Sequence, residues 1–77
     1  MPVTSAQLRM ARAALNWTVR DLAEASGLHR NTINNIEVGR YAGDPKTLAI
    51  LKRTLTKAGV EFTDGDQPGV RLRKSRK

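Results

Sequence analysis

Residues 17–39, WTVRDLAEASGLHRNTINNIEVG, carry two helix signatures on either side of one glycine. Thr18 with Asp21 three residues on has the pattern of a capping box, and Trp17 just before it can staple onto Leu22, so a helix starts at Thr18. This helix turns Val19, Leu22 and Ala23 to one face, runs to Ser26 and stops at Gly27, which can take the left-handed conformation that closes a helix. Leu28 follows as a plug in the turn. A second helix over 30–38 offers Ile33 and Ile36 inward and leaves Arg30, Asn31, Thr32, Asn34 and Asn35 facing out, before Gly39 ends it. Two short helices in this order have the layout of a helix-turn-helix.

The outer face of the second helix is rich in amides and nearly uncharged, whereas solvated helices usually carry glutamate and lysine. Asparagine is a poor helix former, but its amide pairs with the N6 and N7 edge of adenine, as arginine pairs with the O6 and N7 edge of guanine. Arg30, Asn31 and Asn35 therefore match what reading the major groove requires. Taken alone, the asparagines are equally compatible with a polar surface helix.

The segment resembles the Cro/C1 (XRE) helix-turn-helix family of phage repressors and small bacterial transcriptional regulators. The resemblance rests on Leu22 and Ala23, Gly27, Ile33 and Ile36, and Glu37 with Gly39, with Arg12 upstream, and it covers residues 8–55. It implies that the second helix enters the major groove, with Arg30, Asn31 and Asn35 at base-contacting positions and Arg40 and Tyr41 on phosphates. It also implies a structural ion pair between Arg12 and Glu37. Two positions depart from the family pattern. Val19 stands where a phosphate-bonding glutamine is common, which leaves the helix start with Thr18 and Arg20 to hold a phosphate, and His29 replaces the usual serine or threonine cap.

Upstream, Thr4 and Gln7 can form a capping box for a first helix carrying Leu8, Ala11 and Leu15 at helical spacing, with Asn16 at its end. Arg12 lies one position beyond that apolar face, where it can border the core and meet Glu37. Downstream, Asp44 and Pro45 open a fourth helix with Leu48, Leu51, Leu55 and Ala58 in one stripe, closed by Gly59. Lys46, Lys52, Arg53 and Lys57 lie outside that stripe and read as a solvated face. From Val60 the period changes to two. Val60 and Phe62, then Val70 and Leu72 across a turn-rich DGDQPG, predict an antiparallel hairpin with one apolar face. A hairpin alone is scarcely stable, so it must lie on its own helices or pair with a second subunit, and a homodimer is the favoured arrangement.

Seventy-seven residues allow one domain with a small core. The chain has no cysteine, and with one histidine and no metal-ligand spacing it offers no candidate site for metal, nucleophilic or acid-base chemistry. Neither an enzyme nor a cofactor is expected. No apolar run is long enough to span a membrane, and residues 1–10 lack the apolar core of a signal peptide, so the expected location is the cytoplasm, at the nucleoid of a bacterial or phage-derived system. The formal charge is +7, but five of the fourteen basic residues fall in 70–77 with no acid, leaving nine basic against seven acidic in the body. The basic end serves equally as a phosphate attractant or as a solubilising tail.

The expectation is a mainly α protein: a four-helix Cro/C1-type helix-turn-helix bundle over 1–59, a β-hairpin over 60–73 and a basic disordered tail over 74–77. Its expected function is sequence-specific binding of a double-stranded operator as a transcriptional regulator, with Thr18, Arg20, Thr32, Arg40 and Tyr41 positioning the backbone. The alternative is a protein-binding module of the same fold that blocks another regulator or a toxin, for which the face of Val60, Phe62, Val70 and Leu72 would serve as partner surface.

Overall fold

The computed structural model describes residues 3–63 and 66–73. Helices α1 (Ser5–Ala14), α2 (Val19–Ser26), α3 (Arg30–Glu37) and α4 (Pro45–Lys57) precede strands β1 (Val60–Thr63) and β2 (Gly69–Leu72), which form an antiparallel hairpin. The basic tail over 74–77 lies outside the described residues.

Three of the four helices start on a side chain that satisfies orphan N–H groups. Thr4 with Gln7 and Thr18 with Asp21 each form a complete capping box, and Asp44 accepts from the Thr47 N–H at 2.8 Å ahead of Pro45. That N–H holds the Asp44 carboxyl below the usual carboxylate range, so the cap is intact above that range and is lost as pH falls through the lowered value. Helix α3 is the exception, because His29 occupies its cap position without a side-chain hydrogen bond. At the far end of α1, Asn16 adopts φ +61°, which lets the Trp17 N–H reach the Arg12 carbonyl at 2.9 Å and the Asn16 N–H reach Ala13 at 3.0 Å. This is the Schellman closure, made here by the residue that tolerates left-handed backbone best after glycine.

Leu8, Leu22, Ile33, Leu51, Leu55 and Val60 are fully buried, so every helix and the first strand contribute to one core. Leu48 and Ala58, at the ends of the α4 stripe, are half-buried. The hairpin lies on helices of its own chain, β2 against α1 and β1 against α4. Its register sets Val60 opposite Leu72 and Phe62 opposite Val70. At the end remote from the turn Val60 is covered while its cross-strand partner Leu72 is 53% exposed, and the pair Phe62 and Val70 is half-buried.

Gln7 seats the hairpin. Its Oε1 accepts from the Thr4 N–H at 3.0 Å as the return half of the capping box, while its Nε2 donates to the carbonyls of Thr63 and Gly69, each at 2.9 Å. One buried amide thus uses acceptor and both donors, closing the start of α1 and clamping both strands at the turn end of the hairpin. Replacing Gln7 by Ala should destabilise the fold by about 2 kcal/mol, since partly buried polar groups lose their partners. Gln7→Glu should cost at least as much at neutral pH, because an anion then faces two carbonyl oxygens, and should recover on acidification as the carboxyl regains a donor. Chemical denaturation at both pH values, with amide exchange in β1 and β2, checks this. Unchanged hairpin protection in both variants would refute the assigned role.

Candidate nucleic-acid interface

Helix α3 is held at its C-terminal end by two arginines of α1. Arg12 sends Nε and Nη2 to the two carboxylate oxygens of Glu37 at 2.9 and 2.8 Å, and its Nη1 donates to the Trp17 carbonyl at 3.0 Å. Arg9 donates to the backbone carbonyl of Glu37. The Glu37 side chain is only 4% exposed and that of Arg12 23%. The hydrogen bonds to Glu37 raise the Arg12 pKa above its ordinary value, with burial opposing and charge attraction adding. Both guanidinium groups also sit where a helix C-terminus favours cations.

With Ile33, Ile36 and Glu37 turned into the protein, the 100° step per residue places Asn31, Asn35 and Val38 on the opposite side of α3, flanked by Thr32 and Asn34, with Arg30 at the border of this face in the first turn. Arg30, Asn31 and Asn34 are exposed; Asn35 and Thr32 are half-buried. No exposed carboxylate interrupts this face, since the only acid of α3 is the buried Glu37. Val38 is 59% exposed on the same side. Sequence reading treated it as the last turn of the helix and passed over it, although its position seven residues after Asn31 places it there.

Beyond α3 the chain folds back. The N–H groups of Arg40 and Tyr41 both donate to the Asn35 carbonyl, at 2.9 and 3.2 Å, so the two loop residues expected to contact phosphates are fixed to the end of α3. Their side chains are exposed. Gly43, at φ +83°, closes the loop where a Cβ would come within 3.1 Å of both Ile36 and Leu48. At the start of α2, the Thr18 hydroxyl accepts from the Asp21 N–H at 3.0 Å and keeps its own proton to donate. Arg20 is exposed and pairs with Glu24 at 3.5 Å, a surface contact that a phosphate can displace at little cost. Val19 is half-buried against the core, so the position that departs from the family pattern serves packing.

Two short helices joined through Gly27, the second anchored from within and presenting a polar outer face, define a helix-turn-helix module. A family model described as Helix-turn-helix, of the Cro/C1 (XRE) type, matches residues 8–58, and the chain belongs to that family of DNA-binding regulators. No curated protein matches the chain. No helix among the described residues is long and apolar enough to cross a membrane.

A 77-residue domain has a total stability of about 4–12 kcal/mol at typical values per residue. Removing Arg12 should cost about 3–5 kcal/mol, because Glu37 would remain buried and unpaired. The double variant Arg12→Met/Glu37→Met should be more stable than Arg12→Met alone. Thermal unfolding of the two singles and the double gives the coupling, and additive losses would show that the pair is not the anchor.

Proposed function

We propose that the protein is a sequence-specific regulator of transcription that places α3 in the major groove of an operator. The observation that carries this reading is the outer face of α3. Asn31 and Asn35 share it with Asn34 and Val38, Arg30 is exposed at its border in the first turn, and it holds no exposed carboxylate. Amides and a guanidinium supply the paired donors and acceptors that distinguish adenine and guanine edges, and the Val38 methyl groups suit the C5-methyl of thymine. Thr18, Arg20, Thr32, Arg40 and Tyr41 then contact phosphates. Arg40 and Tyr41 are the best placed of these, since their backbone is tied to Asn35. Thr32 and Asn35 need a close approach, being half-covered.

The protein acts in the cytoplasm as a homodimer on a near-palindromic site whose half-site centres lie one helical turn, about 34 Å, apart. The exposed Leu72 and the open edges of the hairpin support self-association there. Occupancy of the site by α3 would regulate by occlusion, as a repressor or Cro-like switch.

Asn35→Ala should relax base preference at one operator position at a cost of about 1–3 kcal/mol, whereas Arg40→Ala should weaken every sequence alike and lower the salt slope by about 0.9. Selection from random duplexes followed by binding titrations at several salt concentrations separates the two. Equal weakening across all sequences by both variants would sink the assignment of base-reading residues. Binding confined to random duplex and abolished on removing residues 73–77 would favour the protein-binding alternative.

A further inference from the structure

A second basic surface lies away from α3. Nine of the fourteen basic residues follow Pro45, against three of the seven acids, so the net charge of the chain resides in α4 and beyond. Arg53 and Lys57 are exposed on the second half of α4, and among the described residues neither forms an ion pair. They rim a groove of about 450 Å³ between α2 and α4, floored by Trp17, Ala25, Ile50 and Ala58. Arg73 is brought to the same end of α4, its Nη2 donating to the Thr56 carbonyl at 3.1 Å and its N–H to Gly59 at 2.7 Å. The sequence after Arg73, KSRK, holds three more cations and lies outside the described residues.

The position relative to α3 is set by α2. One flank of α2 faces the start of α3 through Arg20, Ala23 and Glu24, and the other faces α4 across the groove. At 1.5 Å per residue, Lys57 stands about 18 Å of helix beyond the phosphate-contacting loop that precedes Pro45. No acid lies on α4, and Glu61, the one carboxylate of β1, is engaged by Arg71 at 3.1 Å and Arg73 at 4.0 Å. Cations spread over one end of the molecule beside a shallow groove fit a charged backbone better than a discrete peptide, which would need a deeper apolar seat.

We propose that the α2–α4 groove, with Arg53, Lys57 and Arg73, binds the phosphate backbone of a second DNA segment, distinct from the one lying on α3, so that the protein bridges two duplexes. The inference rests on the reading of α3 for the first segment. Trp17 reports on the second, because it is the only tryptophan and lines the groove.

The test uses the full chain, a donor-labelled duplex of its selected site and an acceptor-labelled random duplex. Wild type should bring the two together and should show Trp17 quenching as random duplex is added. In Arg53→Glu/Lys57→Glu, bridging and quenching should be lost, and the log K against log salt slope for random duplex should fall by about 1.8, about 0.9 for each phosphate contact. Affinity for the selected site should remain close to wild type. Arg53→Gln/Lys57→Gln, which adds no repulsion, should show the same loss in smaller measure, and circular dichroism confirms that both variants fold.

Bridging that persists in both variants, or is absent from wild type, overturns the proposal. So does an equal loss of selected-site affinity and bridging, since the surface would then grip the duplex already on α3, and so does quenching by an acidic peptide but not by DNA. Failure of the α3 reading is seen separately, as unchanged base preference in Asn35→Ala.

Discussion

The bidentate pair of Arg12 and Glu37 is the constraint on which the reading helix depends. Helix α3 is eight residues long, four of them asparagine or threonine, and it lacks a side-chain N-cap. Such a segment would not hold helical form in isolation, where even alanine-rich peptides need about 12–15 residues. Its order comes from outside: Ile33 and Ile36 bury one side, and the guanidinium groups of Arg9 and Arg12 fix the last turn through the carbonyl and carboxylate of Glu37. Because anchoring is done from the inner face, the outer side chains need not contribute to helix stability. An amide-rich surface, poor for helix formation and good for base edges, is tolerable only on a helix held in this way.

The same guanidinium governs where α2 begins. Arg12 also donates to the carbonyl of Trp17, one residue before the Thr18 cap, and its own carbonyl accepts the Trp17 N–H that closes α1. One residue therefore joins the end of α1, the entry to α2 and the end of α3. The angle between the helices of the motif is fixed at three points, while the loop carrying Arg40 and Tyr41 is attached to α3 through Asn35. A displacement at this junction would move the residues proposed to contact bases and those proposed to contact phosphates together.

What the sequence disclosed followed from the range of the interactions involved. The capping boxes at Thr4 and Thr18, the Asp44 cap and the closures at Asn16 and Gly27 depend on residues three to five apart, and they are legible in a linear reading. The hairpin announced itself through its change of period, but its seat did not. Gln7 meets Thr63 and Gly69 across 56 and 62 positions, and a residue already explained by a capping box gives no sign that its second nitrogen is used. At the candidate interface, the amides of α3 and the loop cations stood out by type. Val38 did not, because an apolar residue at a helix end reads as packing, and only the closed core shows that it faces outward. Leu72 shows the reverse: alternation predicts it on the buried face, yet it is exposed while Val60 directly opposite is covered.

The distribution of charge bears on how such a protein can be both selective and adequately tight. Around α3 the net charge is small, since exposed Arg20, Arg30 and Arg40 are set against exposed Asp21 and Glu24 on α2. Base reading by amides with so little phosphate neutralisation gives discrimination but modest affinity, because most of the free energy of protein–DNA association comes from displaced counterions. In this chain most of the other cations are gathered on α4 and beyond, where the proposed second DNA segment would be held. On the proposed reading, selectivity for one segment and attraction for a second are carried by different surfaces of a fold with a Cα radius of gyration of 11.5 Å. A rise in ionic strength should therefore weaken attraction to DNA in general much more than the preference for one sequence over another, since that preference rests on hydrogen bonds made by groups with little charge.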